Sequence, residues 1–291
     1  MRTGNWVFGL AMVAAAACQS SAAELKPATL RAWDQYVSMA EARMQARLEP
    51  GHQFLWTDEE PSRGVRVRKG EILVAPLEEA GIQTVPEGLI HHWMGALFVP
   101  NVRLADVLAV VRDYAQYKEV YRPRVLDSRL LGSADGRQEY SMIWMNNVLF
   151  ENVALETRYE ANDFAVDQRR CFTVTRVASA REIEGYAERN QRFLPPGQGS
   201  GFIWRLQSIA RYEERDGGVY VELEALALTH DIPAGLRWLA SPLVARLSRG
   251  ALAGSLRQTR EGVACFLAAK PGIPLNRTTA ASGHSAREAR R

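Results

Sequence analysis

The stretch GFIWRLQSIARYEERDGGVYVELEALALTHDIPAGLRWLASPLVARL, Gly201 to Leu247, carries two alternating segments, a glycine turn and a leucine stripe in succession. Asp216-Gly217-Gly218 is a strong hairpin signal, because Asp and Gly tolerate the positive φ that a tight turn demands. Before the turn, Phe202, Trp204, Leu206, Ser208 and Ala210 share one strand face and Arg205, Gln207 and Arg211 the other. After it, Val221, Leu223, Ala225 and Ala227 are expected inward. Glu222 and Glu224 are expected outward, free to pair with Arg205 or Arg211 for about 0.2–1 kcal/mol. Ile232-Pro233 places proline near a helix start. Leu236, Leu239, Leu243 and Leu247, then Ala251, form one apolar stripe, with Pro242 expected to kink the helix and Gly250 and Gly254 to weaken it. Two antiparallel strands followed by a long helix make an α+β core in which the helix covers one sheet face.

Working outward, strands are expected at roughly 124–132, 137–146, 149–161 and 170–183, with turns at Asp135-Gly136 and, more weakly, Asn146-Asn147. RFLPPGQGSG, Arg192 to Gly201, reads as a flexible loop. GLIHHWMGALFVP, Gly88 to Pro100, reads as a strand closed by proline, and GEILVAP, Gly70 to Pro76, as a short β-like piece. Val153, Leu155, Thr157 and Tyr159 share a face, opposite Glu156 and Arg158. Met142, Ile143, Trp144 and Met145 are apolar on both faces, which implies cover on both sides. Residues 27–48 form a helix whose stripe is Leu30, Trp33, Val37, Ala40 and Met44; this is the natural second cover. His52 to Arg68 is irregular and charged. A face of Leu104, Val107, Leu108, Val111 and Tyr114 continues through Tyr117 and Tyr121 until Pro123 forbids further helix. A curled sheet that its helix does not fill leaves a cavity.

Of the 291 residues 47% are hydrophobic and 24% charged, ordinary for a globular chain with a substantial core. The formal charge of +3 is too diffuse to argue for nucleic acid. Residues 1–23 read as a signal peptide: Arg2, an apolar run from Trp6 to Ala17, and small residues to Ala23. The rival reading is a lipoprotein leader with acylated Cys18. Either places the protein in the periplasm or outside the cell. Cys171 and Cys265 carry no pairing information. His91 and His92 are strand neighbours pointing to opposite faces, so they cannot share a metal, and His230 ends a strand beside Asp231. HExxH, CxxC, GxSxG and P-loop patterns do not occur, and no cofactor or metal is implied. Residues 269–291 read as a disordered basic tail, with Arg277, Arg287, Arg290 and Arg291 against Glu288. Contact with an anionic membrane surface would be weak, about 1 kcal/mol per basic residue.

The segments LFVPNVRLADVLAVVRDYAQYKEVYRPRVLDSRLL and GFIWRLQSIARYEERDGGVYVELEALALTHDIPAGLRWLASPLVARL resemble the START-like, or SRPBCC, superfamily, which includes Bet v 1 allergens, lipid-transfer domains and polyketide cyclases. The resemblance covers about residues 88–268 and rests on element order. It implies a helix-grip fold: a curved antiparallel sheet of about seven strands around the long C-terminal helix, with residues 24–87 as an extra N-terminal helical extension. Those residues either cover the outer sheet face, cap the pocket or extend the sheet edge. The resemblance also implies a cavity, for which the candidates are Tyr114, Tyr117, Tyr121, Arg122, Tyr159, Phe202, Trp204, Leu206, Ala225, Ala227, Leu239 and Leu243. In the alternative the tyrosines are packed core and Arg122 pairs with a surface acid.

Three functions follow as expectations. The first is an exported module that binds a lipid or other hydrophobic small molecule and carries it across the envelope. The second is a cyclase or aromatase using Tyr117, Tyr121, Arg122 and His230. The third is an envelope interaction protein whose cavity is filled by its own side chains.

Overall fold

The computed structural model describes residues 25–78, 81–148, 151–195, 203–230 and 237–270, with side chains for all of these except 146–148, 151–153 and 237–245. The leader with Cys18, the tail from 271, Phe202, Leu236 and the side chains of Leu239, Pro242 and Leu243 therefore lie outside the described residues. The chain opens with α1 (Pro27–Ala46), a 3-10 turn (Trp56–Asp58), α2 (Pro61–Arg68), β1 (Leu73–Pro76), β2 (Ile82–Val85) and β3 (Gly88–Pro100). Next come α3 (Leu104–Val111), a 3-10 turn (Tyr114–Gln116) and α4 (Tyr117–Val120). The strands β4 (Val125–Ala134), β5 (Arg137–Val148), β6 (Glu151–Ala165), β7 (Arg170–Glu184), β8 (Arg192–Phe193), β9 (Arg205–Arg215) and β10 (Gly218–His230) follow, and α5 (Arg237–Ala269) closes the described chain.

All strand pairs are antiparallel, in the order β1-β3-β10-β9-β7-β6-β5-β4, with β2 also on β3 and β8 on β7. This is the helix-grip arrangement, with ten strands where about seven were expected; β1, β2 and β8 are the short additions. The turns at Asp135-Gly136 (φ +49° and +78°) and Asp216-Gly217 (φ +57° and +77°) have both central residues left-handed, as a two-residue hairpin requires. Asn146-Asn147 is not a turn: β5 continues through Val148, and these residues face Val153 and Asn152 on β6. The charged stretch from His52 is not wholly irregular either, since it contains α2, started by Pro61.

Strand β3 is buried along both faces from Gly88 to Val99. Its inner residues Trp93, Leu97 and Val99 pack under Leu252, Leu256 and Val263 of α5. A Cβ on Gly95 would stand 2.6 Å from Leu256 Cδ1, so glycine lets α5 settle on the sheet here. The helix packs on β1, β3, β10, α3 and α4.

The outer face is covered by the N-terminal segment. Trp33, Tyr36, Val37 and Ala40 of α1 meet Ile90, Trp204, Leu226 and Leu228. Met44, Phe54, Leu55, Trp56 and Val67 meet Met94, Ala96, Phe98, Phe172, Val174, Ile209 and Tyr220. Residues 25–87 thus cover the outer face with α1 and α2, and extend the sheet with β1 and β2. The cover stops short of β5, where Ile143 and Met145 are only part-buried and join none of the apolar clusters.

Glu222 and Glu224 lie on the outer face as expected and pair with Arg211, but the cover buries the whole group. Their side chains are 0% and 5% exposed, and that of Arg211 is 0%. Arg211 Nε donates to Glu222 Oε2 at 3.1 Å and Nη1 to Glu224 Oε2 at 3.0 Å. Glu222 also accepts from the backbone N–H groups of Trp56 (2.9 Å) and Thr57 (2.8 Å) and from the Thr57 hydroxyl (3.0 Å). Glu224 Oε1 lies 3.0 Å from His92 Nε2, whose Nδ1 is 2.8 Å from the Tyr36 hydroxyl; that hydroxyl donates to Glu78 at 2.6 Å. The polar alternation was read correctly, but the face it marks is a buried layer.

Arg211→Met should lower folding stability by about 3–5 kcal/mol in urea unfolding, because two buried carboxylates lose their cation; a loss under about 1 kcal/mol would mean that water reaches the cluster. Acid should also unfold the chain early. Burial lowers the His91 pKa from 6.5 to about 4. Burial by itself raises that of Glu224, but the His92 hydrogen bond and the Arg211 charge outweigh it and hold this carboxyl at about 2 rather than 4.5. Unfolding therefore takes up a proton at His91 below pH 6.5 and another at Glu224 below pH 4.5, so stability falls from about pH 6.5 downward. A urea midpoint that stays level down to pH 4 would contradict this, and His91→Phe should flatten the upper part of the slope.

Candidate functional site

Between the inner face of β5, β6, β7 and β9, the α3–α4 segment and α5 lies a cavity of about 310 Å³. Six of the chain's nine tyrosines line it, namely Tyr114, Tyr117, Tyr121, Tyr140, Tyr159 and Tyr212, so tyrosine is the commonest residue on its wall. Strand register explains part of this. Tyr140 on β5 lies directly opposite Tyr159 on β6, and the rings stack at 4.8 Å. The helix that should run on from Leu104 breaks after Val111, and Asp113 (ψ 71°) swings the chain into the 3-10 turn that begins at Tyr114. Tyr114 is thereby laid flat on Tyr140, with centroids 4.1 Å apart. Tyr117 leans on Tyr114 (5.2 Å), and Tyr121 meets Tyr117 edge-on at 4.8 Å. The break is held by Ser128 on β4, whose hydroxyl donates to the Ala115 carbonyl and accepts from the Lys118 N–H, each at 2.9 Å.

Several of the hydroxyls are spoken for. Tyr117 donates to the Val111 carbonyl (2.5 Å), and Tyr121 lies 3.0 Å from Thr259 Oγ1, which itself donates to the Ser255 carbonyl. Burial raises the pKa of all six phenols, that of Tyr159 up to about 12 although hydrogen bonds with Thr157 and Trp144 pull it the other way. The tyrosines are therefore neutral hydrogen-bonding groups at any physiological pH. Thr173, Thr175, Ser208, Ser255, Gln258 and Thr259 add further polar atoms among Val111, Val125, Leu206 and Leu256. Burial also pushes the nearby Cys171 thiol up to about 11, against the lowering effect of Arg112, so it is no ready nucleophile. No group of three or more His, Cys, Asp or Glu side chains among the described residues is arranged to hold a metal.

No family model and no curated protein matches the chain. Solved structures do. A STAR-related lipid transfer protein from Xanthomonas axonopodis is similar at TM-score 0.42 and 18% identity, over 66% of this chain and 98% of that one. The ZhuI aromatase/cyclase from Streptomyces sp. R1128 is similar at 0.43 and 12%, over 63% and 99%. Human STARD10 is similar at 0.42 and 8%, over 76% and 85%. The helix-grip fold rests on the sheet order and on the long helix α5 that follows it.

Of the residues expected at the cavity, Tyr114, Tyr117, Tyr121, Tyr159 and Leu206 line it. Trp204 does not. It precedes β9, where strand alternation has not begun, and packs on the outer face with Ile90, Leu226 and Leu228. Arg122 points to solvent and pairs with Glu119 at 2.6 Å, while Arg124 lines the cavity in its place. Ala225 packs against the α5 core cluster and Ala227 sits between His91 and Leu206 in the sheet; neither reaches the cavity wall. His230 stacks edge-on against Trp204 (5.5 Å), so it is not assembled with Tyr117 and Tyr121. The sequence reading missed Tyr140, Met142, Trp144, Tyr212 and Thr259. Tyr212 continues the alternation Leu206, Ser208, Ala210 by one more step, and Tyr140 does the same for Met142 and Trp144, so a longer count along each strand finds both.

In an alkaline titration followed at 295 nm, most tyrosinate absorbance should appear together with unfolding, because the cavity phenols ionise freely, near pH 10, only once exposed. A gradual rise centred near pH 10 with the fold intact would show that the cavity is flooded.

Proposed function

We propose that the protein binds one small, mainly apolar molecule in the tyrosine-walled cavity. The observation that carries this is the cavity itself: it is set between sheet and helix, and aromatic faces on several elements converge on it. Its volume is about twice the ~150 Å³ that accommodates benzene and sits at the lower end of ligand pockets. The occupant is thus a two- or three-ring compound or one short chain, and a whole two-chain lipid is too large to be enclosed. The similar proteins named for lipid transfer and for aromatase/cyclase are in keeping with an apolar ligand. The leader, with its apolar run and small residues before Glu24, supports export, and a diffusible apolar cargo is what an envelope carrier would move.

N-phenyl-1-naphthylamine, a neutral fluorescent probe, should bind saturably at one site per chain. Ala210→Trp, which places an indole in the cavity, should weaken binding at least tenfold with the melting transition retained. Native mass spectrometry of the protein made with its own leader should show a chain starting at Glu24 and carrying a small adduct. No saturable probe binding would sink the binding reading, and an unprocessed chain would sink export.

A further inference from the structure

We infer that the cavity's ligand carries one anionic group, and that this group docks on the Arg124 guanidinium at the mouth; the inference rests on the binding reading above. Among the described residues lining the cavity, Arg124 and Glu222 are the charged ones. Glu222 is spent on the other face of the sheet, where Arg211, Trp56 and Thr57 occupy its oxygens. Arg124 stands differently. The cations around it all have acids: Arg122 has Glu119 at 2.6 Å, while Lys118 and Arg129 share Asp127 at 3.4 and 2.9 Å. Arg124 has no hydrogen-bond or ion-pair partner for its side chain among the described residues, although its own backbone carbonyl accepts from Met145.

The position fits a headgroup site. Arg124 begins the hairpin at the start of β4, beside Val125, so one side of its side chain reaches solvent and the other faces the cavity. Arg124 is exposed at the mouth, although the protein packed on its cavity side pulls its pKa down, and no acid stands against it among the described residues. Gln258 and Thr259 of α5 line the same space, with Gln258 tied to the Arg122 carbonyl and Thr259 to Tyr121. A planar fork of donors at the end of an apolar, hydroxyl-studded chamber suits a carboxylate or a phosphate monoester on a ring system or short chain. It does not suit a neutral alcohol, which would leave the guanidinium as it is.

The test uses the full chain and four probes of one shape: 2-naphthoate, 2-naphthyl phosphate, 2-naphthamide and 2-naphthol, each titrated by competition against N-phenyl-1-naphthylamine. On the wild type, at least one of the two anions should bind ten- to a hundredfold more tightly than either neutral compound, the range expected for a hydrogen bond to a charged group. Which anion leads distinguishes a carboxylate ligand from a phosphate ester. Arg124→Gln should abolish that preference while leaving the neutral probes' affinities within twofold, Arg124→Lys should retain part of it, and Arg122→Gln should retain it all. Equal affinities across the four probes on the wild type, or an anion preference that survives Arg124→Gln, overturns the inference and leaves the cavity reading standing. If N-phenyl-1-naphthylamine and all four probes fail to bind the wild type, the cavity reading fails and this inference falls with it.

Discussion

The Arg211 guanidinium has to be neutralised in a layer that water does not reach, and much of the molecule is arranged around that requirement. Burying a charge costs several kcal/mol even after relaxation, and the cost is recovered only when every lone pair and proton is met. Glu222 and Glu224 meet Arg211 from the neighbouring strand. The two carboxylates then outnumber their cation, and the N-terminal segment supplies what is missing. Trp56 and Thr57 bring backbone N–H groups to Glu222, and Tyr36 supports the His92 that bonds Glu224. A slide of the Leu55–Asp58 stretch by one residue would move those donors by about 3 Å and strand Glu222. The cluster thus specifies where the N-terminal layer sits, while the apolar contacts of Trp33, Met44, Leu55 and Trp56 provide the area that holds it there.

The inner face obeys the opposite logic. On β9 and β10 it carries Leu206, Ser208, Ala210, Val221, Leu223 and Ala225, residues with no charge and modest bulk. The helix α5 settles on β3 at Gly95 and on α3 and α4, one half of the hollow. Over the other half the wall is built from stacked phenols, which bury their faces against one another and keep oxygen atoms at the edge of the space. The same sheet therefore has one face locked by ions and hydrogen bonds, and another with room for a guest.

Much of the architecture was legible along the chain. Asp216-Gly217 and Asp135-Gly136 placed two hairpins, Gly88 to Pro100 read as a strand from end to end, and the stripe of Trp33, Val37, Ala40 and Met44 marked the helix that covers the sheet. These are local signals, written in turn chemistry and in periods of 2 and 3.6 residues. The errors share one cause. Trp204 was given a face by an alternation that starts one residue later, at Arg205. Tyr117 and Tyr121 were read as continuing the helix of Leu104, although the chain breaks at Asp113. Glu222 and Glu224 carry the alternation of a paired outer face, but nothing near them in sequence shows that Trp56 and Thr57 close over them.

By itself, then, the sequence determined element type, turn positions and the separation of apolar from polar faces, since each depends on residues within a few positions of one another. Only the tertiary structure decided what each face meets. Whether a polar face is wet depends on a segment more than a hundred residues away, as Thr57 on Glu222 shows. The cavity depends on it too, because the meeting of Tyr114, Tyr140 and Tyr159 requires a 3-10 turn, a cross-strand register and a curled sheet at once. The cation at its mouth was settled in the same way. Arg122 and Arg124 are two residues apart across a proline, and the bend of the chain turned the first to solvent and the second to the cavity.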